Sequence, residues 1–247
     1  MTLEDLSANS QDYLKMIWDL QEWDPRPVQP SALAKKANVK LSTVSGAITR
    51  LTAAGLVEHE PYGGVVLSDL GRQYAVKMVR RHRLIETFLV QTLGYGWDEV
   101  HDEAERLEHA VSDDLVERVD VLLDHPDRDP HGDSIPLADG CLPLRDDSIP
   151  LSEAPDGALV KVERVSDEDS EMLRYLQSER VSVGTRLLVC SQSPYSEAVS
   201  VRLVKEFSWP VDESSLINKS STTSSDMQTS LIFGPVVASR IRVCIVQ

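Results

Sequence analysis

The sequence predicts a mainly α chain with a β part, built from three small domains, and three observations predict it. An apolar period of helical spacing runs through the first half, with one short alternating stretch around a glycine pair, and gives way after residue 157 to short alternating segments. The chain has 247 residues, long for one compact core and sufficient for several small ones. Its charge is also unevenly divided. The net charge is −15, yet residues 1–83 carry 11 Lys and Arg against 9 Asp and Glu, and the remainder carries 14 against 31.

The elements follow in order. Residues 6–22 place Leu6, Tyr13, Ile17 and Leu20 at helical spacing, and the proline-bearing run WDPRPVQP stops this helix near Trp23. In QPSALAKKANVKLSTVSGAITRLTAAGLV, Leu33, Ala34 and Ala37 mark the inner face of a short helix, and residues 38–41 form a polar turn. Ser42 is the N-cap expected for a second helix, with Val44, Ile48 and Leu51 inward and Gly55 as its stop. Two short helices joined this way predict a helix-turn-helix.

LVEHEPYGGVVLSD alternates around Tyr62, Gly63 and Gly64, a β-hairpin in the position of a wing. Helical spacing resumes through Leu70, Tyr74, Met78, Leu84 and Leu89 to Gly94, and WDEVHDEAERLEHAVSDDLVERVDVLL reads as a further helix or two. Six prolines between residues 125 and 155 mark loop and linker. ALVKVERV, RLLVCSQ, VSVRLV and SRIRVCIV then read as strands of a small SH3-like β-barrel, with the Ser/Thr-rich segment 214–230 as a flexible excursion. The expected domains are a winged helix-turn-helix (1–75), a helical dimerisation and metal-binding domain (76–140), a linker (141–156) and the barrel (157–247).

Cys141, Cys190 and Cys244 are odd in number and far apart, so neither a disulfide framework nor a thiolate zinc site is expected. The N-terminal residues carry acids where a signal peptide has a basic region, and no stretch approaches about 18 apolar residues; a cytoplasmic protein without a membrane partner is expected. Only the first third is balanced enough to approach DNA, and the run KMVRRHR, with the wing, supports duplex DNA as partner.

The stretch HDEAERLEHAVSDDL concentrates chemistry. On a helical wheel with His101 at zero, Glu105 falls near 40°, Glu108 near −20° and His109 near 80°, all within an arc of about 100°. Ala104, Leu107, Val111 and Leu115 form the apolar stripe beside them, so these ionisable groups lie at the edge of a buried surface, where a cation offsets their charge. His82 and Glu86 repeat the i, i+4 spacing on the preceding helix. Glu occupies the place of the first His of an H-x-x-E-H peptidase, and neither a nucleophile triad nor a phosphate-binding glycine loop is present. A structural or regulatory metal, rather than an enzyme with a small-molecule substrate, is expected.

With these residues assembled, residues 1–136 resemble the metal-dependent repressors of the diphtheria-toxin-repressor type. The resemblance rests on DYLKMIWDL, STVSGAITRLTAAGLV, LSDLGRQYA, RRHRLIETFL, VHDEAERLEHAVSD and PHGDSIP, in that order. It implies a homodimer that binds operator DNA and holds two metal sites per subunit. The primary site maps onto Asp12, Glu105, Glu108 and His109. The ancillary site maps onto His82, Glu86 and His101, to which Glu168, Asp169 or Glu171 is positioned to add a ligand.

Asp12 and Glu105 stand where the iron-sensing branch has a methionine and a cysteine. Oxygen and imidazole donors suit Mn²⁺, with Fe²⁺ as the alternative. Lys15 departs from members that carry a glutamate there, which argues against a closely spaced two-manganese cluster. Ser42, Thr43, Ser45 and Gly46 are the expected base-facing positions, with Lys40 and Arg50 on phosphates.

Overall fold

The computed structural model describes residues 2–60, 63–142, 147–190, 196–204 and 230–246. They form two compact units. The first comprises Met1–Tyr95, Val100–Asp129 and Ser134–Leu144, and the second Gly96–Glu99, Pro130–Asp133 and Arg145–Gln247.

In the first unit, α1 (Ala8–Trp23) starts where the Ser7 side chain accepts from the Ser10 N–H, and it buries Tyr13, Leu14, Ile17 and Trp18. α2 (Pro30–Lys36) and α3 (Leu41–Ala53) are separated by a turn in which Asn38 is left-handed at φ 50°. That tight turn lets the chain re-enter helix earlier than the sequence suggests. Lys40 is therefore the N-cap, without a side-chain bond, and Ser42 lies inside α3. Gly55, at φ 71°, ends the helix while Leu56 N–H donates to Leu51 O.

β1 (Val57–His59) and β2 (Val65–Leu67) pair antiparallel as the wing; position 62 of the expected turn lies outside the described residues. Val28 adds a third, one-residue edge by exchanging both backbone bonds with Val65, so WDPRPVQP contributes to the wing besides stopping α1. At Gly71 a Cβ would come within 1.8 Å of the Leu56 carbonyl, so only glycine lets α4 (Asp69–Leu93) cross at this point.

α5 (Val100–Leu107) is shorter than the wheel assumed. Glu108 and His109 lie in the turn that follows, and Ser112 caps a separate α6 (Asp113–Leu122). Ala104, Leu107 and Val111 pack with Ile85 and Leu89 of α4 as expected, but Leu115, carried away by the break, is exposed, as is Leu70 in the first turn of α4. The proline-rich segment is not all linker. Ile135 is buried against Leu84, Val116 and Val119, and its N–H donates to Asp127 O.

The second unit is an antiparallel sheet of β3 (Ile149–Pro150), β4 (Leu159–Val165), β5 (Arg186–Val189), β6 (Val199–Leu203), β7 (Ser230–Phe233) and β8 (Ile241–Ile245). Its order is β3-β8-β4-β5-β6-β7. The four expected strands are β4, β5, β6 and β8. Two helices were not anticipated: α7 (Ser170–Ser178), capped by Asp169, which buries Met172, Leu173 and Leu176, and the short α8 (Pro235–Ser239). Among the described residues β3 and β7 are the edge strands and do not pair with each other, so the expected barrel is an open sheet; most of segment 214–230 lies outside those residues. The 130–133 stretch is anchored here, with His131 O accepting from Val165 N–H. No described helix is long and apolar enough to cross a membrane.

Candidate metal centre

Two clusters of oxygen and imidazole donors form within the first unit. Asp12, Glu108 and His109 bring one ligand atom each to within 4.8 Å of one another. His109 Nε2 lies 2.7 Å from Asp12 Oδ1 and 3.6 Å from Glu108 Oε1. Gln11 explains how His109 is oriented. Its buried amide nitrogen donates to the Leu3 and Leu6 carbonyls, at 2.9 and 3.2 Å, so its Oε1 is the acceptor facing His109 Nδ1 at 2.9 Å. Nδ1 therefore carries a hydrogen, and Nε2 shares a second proton with Asp12 across their 2.7 Å contact; release of that proton leaves Nε2 as the ligand atom. Burial pushes the Asp12 carboxyl up despite His109 beside it.

His82, Glu86 and His101 form the second cluster. His82 Nε2 is 3.0 Å from Glu86 Oε1, His101 Nδ1 is 3.2 Å from the same oxygen, and Glu86 is fully buried. On its other side, His82 Nδ1 meets Glu108 Oε2 at 2.5 Å. Burial disfavours a charged imidazole, but Glu86 and the hydrogen bonds to Glu108 and Glu86 outweigh it and raise His82 to about 9. Glu108, although burial opposes its ionisation, is held down at about 2 by His82 and Lys15. His82 is thus an imidazolium donating from both nitrogens, and it must lose a proton before it can ligate a metal.

The expected primary ligands are not all brought together. Glu105 points to Lys15, 2.7 Å from Nζ, and groups with His82 and Glu108 rather than with Asp12 and His109. Lys15, one turn after Asp12 on α1, is 3% exposed and also reaches both Glu108 oxygens at 2.6 and 2.7 Å. The sequence marked Lys15 only as a departure and did not single out Gln11. Both are polar residues on α1 flanking Asp12, and only their burial sets them apart.

In the second unit, Asp169 is engaged as the α7 cap, accepting from Met172 N–H, and pairs with Arg240 at 3.3 Å, while Glu168 and Glu171 are exposed.

The RRHR run also differs from expectation. Arg80 meets Asp120 at 3.0 Å and the Pro136 carbonyl, Arg81 meets the Glu108 carbonyl and Asp113, and Arg83 meets Glu22 and the Ser134 carbonyl. All three are buried, so this basic segment is internal scaffold and not a DNA-facing patch. Arg81 in particular ties down the turn that carries Glu108. Lys40, Ser42, Thr43, Ser45 and Arg50 are exposed on or beside α3, with Gly46 half-buried. Ser45 donates its hydroxyl hydrogen to Leu41 O, which leaves its lone pairs as outward acceptors.

Comparison with known proteins matches three family models in sequence. These are the iron dependent repressor N-terminal DNA binding domain at residues 5–65, the iron dependent repressor metal binding and dimerisation domain at 68–137, and the FeoA domain at 149–217. The chain is 34% identical over 166 residues to the iron-dependent repressor IdeR of Mycobacterium tuberculosis, covering 65% of this chain and 72% of the relative. It is 29% identical over 199 residues to the diphtheria toxin repressor of Corynebacterium glutamicum, covering 77% and 87%.

Among solved structures, a manganese-dependent transcriptional repressor in complex with manganese superposes with TM-score 0.82 at 43% identity, covering 96% of this chain and all of that one. The manganese regulator SloR superposes with TM-score 0.76 at 28% identity, covering 98% and 100%. ScaR with bound Zn²⁺ gives 0.76 at 30% identity, covering 96% and 99%.

Proposed function

Because this chain belongs to the iron-dependent repressor family of metal-dependent, DNA-binding transcriptional regulators, we propose that it is a manganese-activated homodimeric repressor of metal-uptake genes, acting in the cytoplasm. The observation that carries the reading is the convergence of Asp12 Oδ1, Glu108 Oε1 and His109 Nε2, an all oxygen and imidazole set joining α1 to the turn after α5. Hard donors without sulfur suit Mn²⁺ and remove the advantage that thiolate gives to later metals. Kinship with the manganese-dependent repressor structure, at 43% identity, supports the same metal. Kinship with iron-dependent IdeR favours Fe²⁺ as the second reading.

The residues fit the ion. Asp12, Glu108 and His109 would hold it in the primary cluster, and His82, Glu86 and His101 in the ancillary one, each after releasing the protons now shared between His and carboxylate. The bound ion supplies divalent positive charge and directional bonds. Asp12 works through its helix: α1 packs on α2, α3 and the wing strand β2, so a ligand at Asp12 bears on the whole reading head. Glu108, whose carbonyl accepts from Arg81 on α4, and the adjacent His109 are the other end of that link. Fixing α1 favours the arrangement in which the two recognition helices of a dimer lie about 34 Å apart, one DNA turn.

The test is DNA retention of the metal-free protein on a fragment from upstream of a manganese-transporter gene. It is titrated with Mn²⁺, anaerobic Fe²⁺ or Zn²⁺ at constant salt. Chelator-reversible retention at the lowest Mn²⁺ supports the reading; stronger activation by Fe²⁺ moves the protein to the iron-sensing branch, and retention that ignores metal refutes metal control.

A further inference from the structure

Between the two clusters lies a third convergence that neither uses as its own. His82, Glu105 and Glu108 also bring ligand atoms to within 4.8 Å of one another. Its middle is filled by the Lys15 ammonium. Nζ lies 2.7 Å from Glu105 Oε1, 2.6 and 2.7 Å from the two Glu108 oxygens, and 3.4 Å from His82 Nδ1. An ammonium has three N–H donors, and three carboxylate oxygens surround this one at hydrogen-bond length. Lys15 is 3% exposed and Glu108 fully buried, so that pair meets where water hardly screens it, while Glu105, with 37% of its side chain exposed, closes the outer edge of the cluster.

We propose that Lys15 is a resident cation: its ammonium takes the central position between Glu105, Glu108 and His82, excludes a divalent ion from it, and clamps α1 to α5 in the metal-free chain. Asp12 and Lys15 stand one turn apart on α1, so one helix presents an anion to His109 and a cation to Glu105 and Glu108. Lys15 is a positioning residue. It engages Glu105, which therefore lies outside the Asp12 cluster, and it holds the metal capacity of the centre at the two flanking clusters. A divalent ion at the middle position would share Glu108 with the primary cluster and His82 with the ancillary one; the lysine occupies that bridge with a single charge that cannot be chelated away.

This inference rests on the metal-binding reading above, and the experiment separates the two. Full-length wild type, Lys15→Gln and Lys15→Glu are dialysed against Mn²⁺ alone, bound metal per chain is counted by elemental analysis, and the Mn²⁺ electron paramagnetic resonance spectrum is recorded. Both variants are expected to take up one more Mn²⁺ per chain than wild type, with spin coupling that wild type lacks. In chelator, Lys15→Gln is expected to melt roughly 5–15 °C below wild type, with Mn²⁺ restoring the difference. Lys15→Gln decides if the charge reversal does not fold. Wild-type stoichiometry in both variants, or an unchanged melting temperature of metal-free Lys15→Gln, overturns the proposal. Failure of wild type to bind Mn²⁺ overturns the functional reading, and the role of Lys15 with it.

Discussion

The two donor clusters are built from the same side-chain types but differ in which elements they join. His82, Glu86 and His101 sit on α4 and α5, helices packed through Ile85, Leu89, Val100 and Ala104, with Glu86 fully buried. Asp12, Glu108 and His109 join α1, which packs on the helix-turn-helix, to an inter-helical turn, and Asp12 and His109 are about a quarter exposed. A cation in the first cluster reinforces a contact that hydrophobic packing already makes. A cation in the second ties the DNA-reading elements to the rest of the unit. On the proposed function, occupancy of the Asp12 cluster would therefore be the regulated event, and occupancy of the His82 cluster would tune the frame around it.

The largest effect that would break this comparison comes from Asp12→Ala and His109→Ala. Both should lower Mn²⁺-dependent DNA retention by at least about 100-fold, measured by fluorescence anisotropy, while circular dichroism of the metal-free protein stays unchanged. Equal losses from His82→Ala would mean that the two clusters control DNA retention alike. Gln11→Leu should weaken Mn²⁺ binding by about 10-fold through loss of the His109 tautomer, with the ligands intact; titration calorimetry reads this. His82→Ala should act mainly on the frame. Removing a buried partner of Glu86 and Glu108 should cost about 3 kcal/mol of metal-free stability in urea, with a smaller change in retention.

The pH dependence sharpens the same contrast. In the metal-free protein His82 is raised from 6.5 to about 9, so its contribution is complete below 6.5 and is lost as pH rises through about 9. Glu108 is lowered from 4.5 to about 2, so its contribution is present above 4.5 and is lost as pH falls toward about 2. Metal-free stability from these two groups should therefore be flat between about pH 4.5 and 6.5, and should fall on the alkaline side as pH rises toward about 9 and on the acid side as pH falls toward about 2. Mn²⁺ affinity of the ancillary cluster should instead climb about tenfold per pH unit up to about 9, since His82 releases its proton on ligation; calorimetry in buffers of different ionisation enthalpy would detect that proton. The smallest effect is expected from Ser45→Ala, which removes an outward acceptor and should alter retention by about tenfold or less at a single operator position, leaving metal binding unchanged.

Much of the centre was legible from local spacing. His82 and Glu86 lie one turn apart on α4, and His101 and Glu105 one turn apart on α5, so their shared faces follow from helical pitch alone. Glu108 stays beside Glu105 although the helix ends at Leu107, because its N–H still donates to Ala104 O and continues the pitch for one residue, whereas His109 turns instead to Asp12. Leu115 did not keep its side, since the break before Ser112 resets the phase. α7 was hidden by its charged opening SDEDSE, whose Asp169 and Glu171 resemble loop ligands until Met172, Leu173 and Leu176 are seen to share a buried face.

The sequence by itself determined the order of elements, the helix-turn-helix and wing, and the local donor pairs His82–Glu86 and His101–Glu105, because each depends on residues within a turn or a hairpin of one another; Asp12, 97 positions from His109, entered only through the family resemblance. Tertiary structure alone decided which charges meet. Lys15 finds Glu108 across 93 positions of chain, and Arg80, Arg81 and Arg83, a basic run by composition, turn inward to acids and carbonyls 27 to 61 positions away. It also left the C-terminal sheet open among the described residues. The physical reason is that helical and strand periods are local properties of the backbone. The partner of a buried charge is set by whichever opposite charge the packed core carries into the same water-free space.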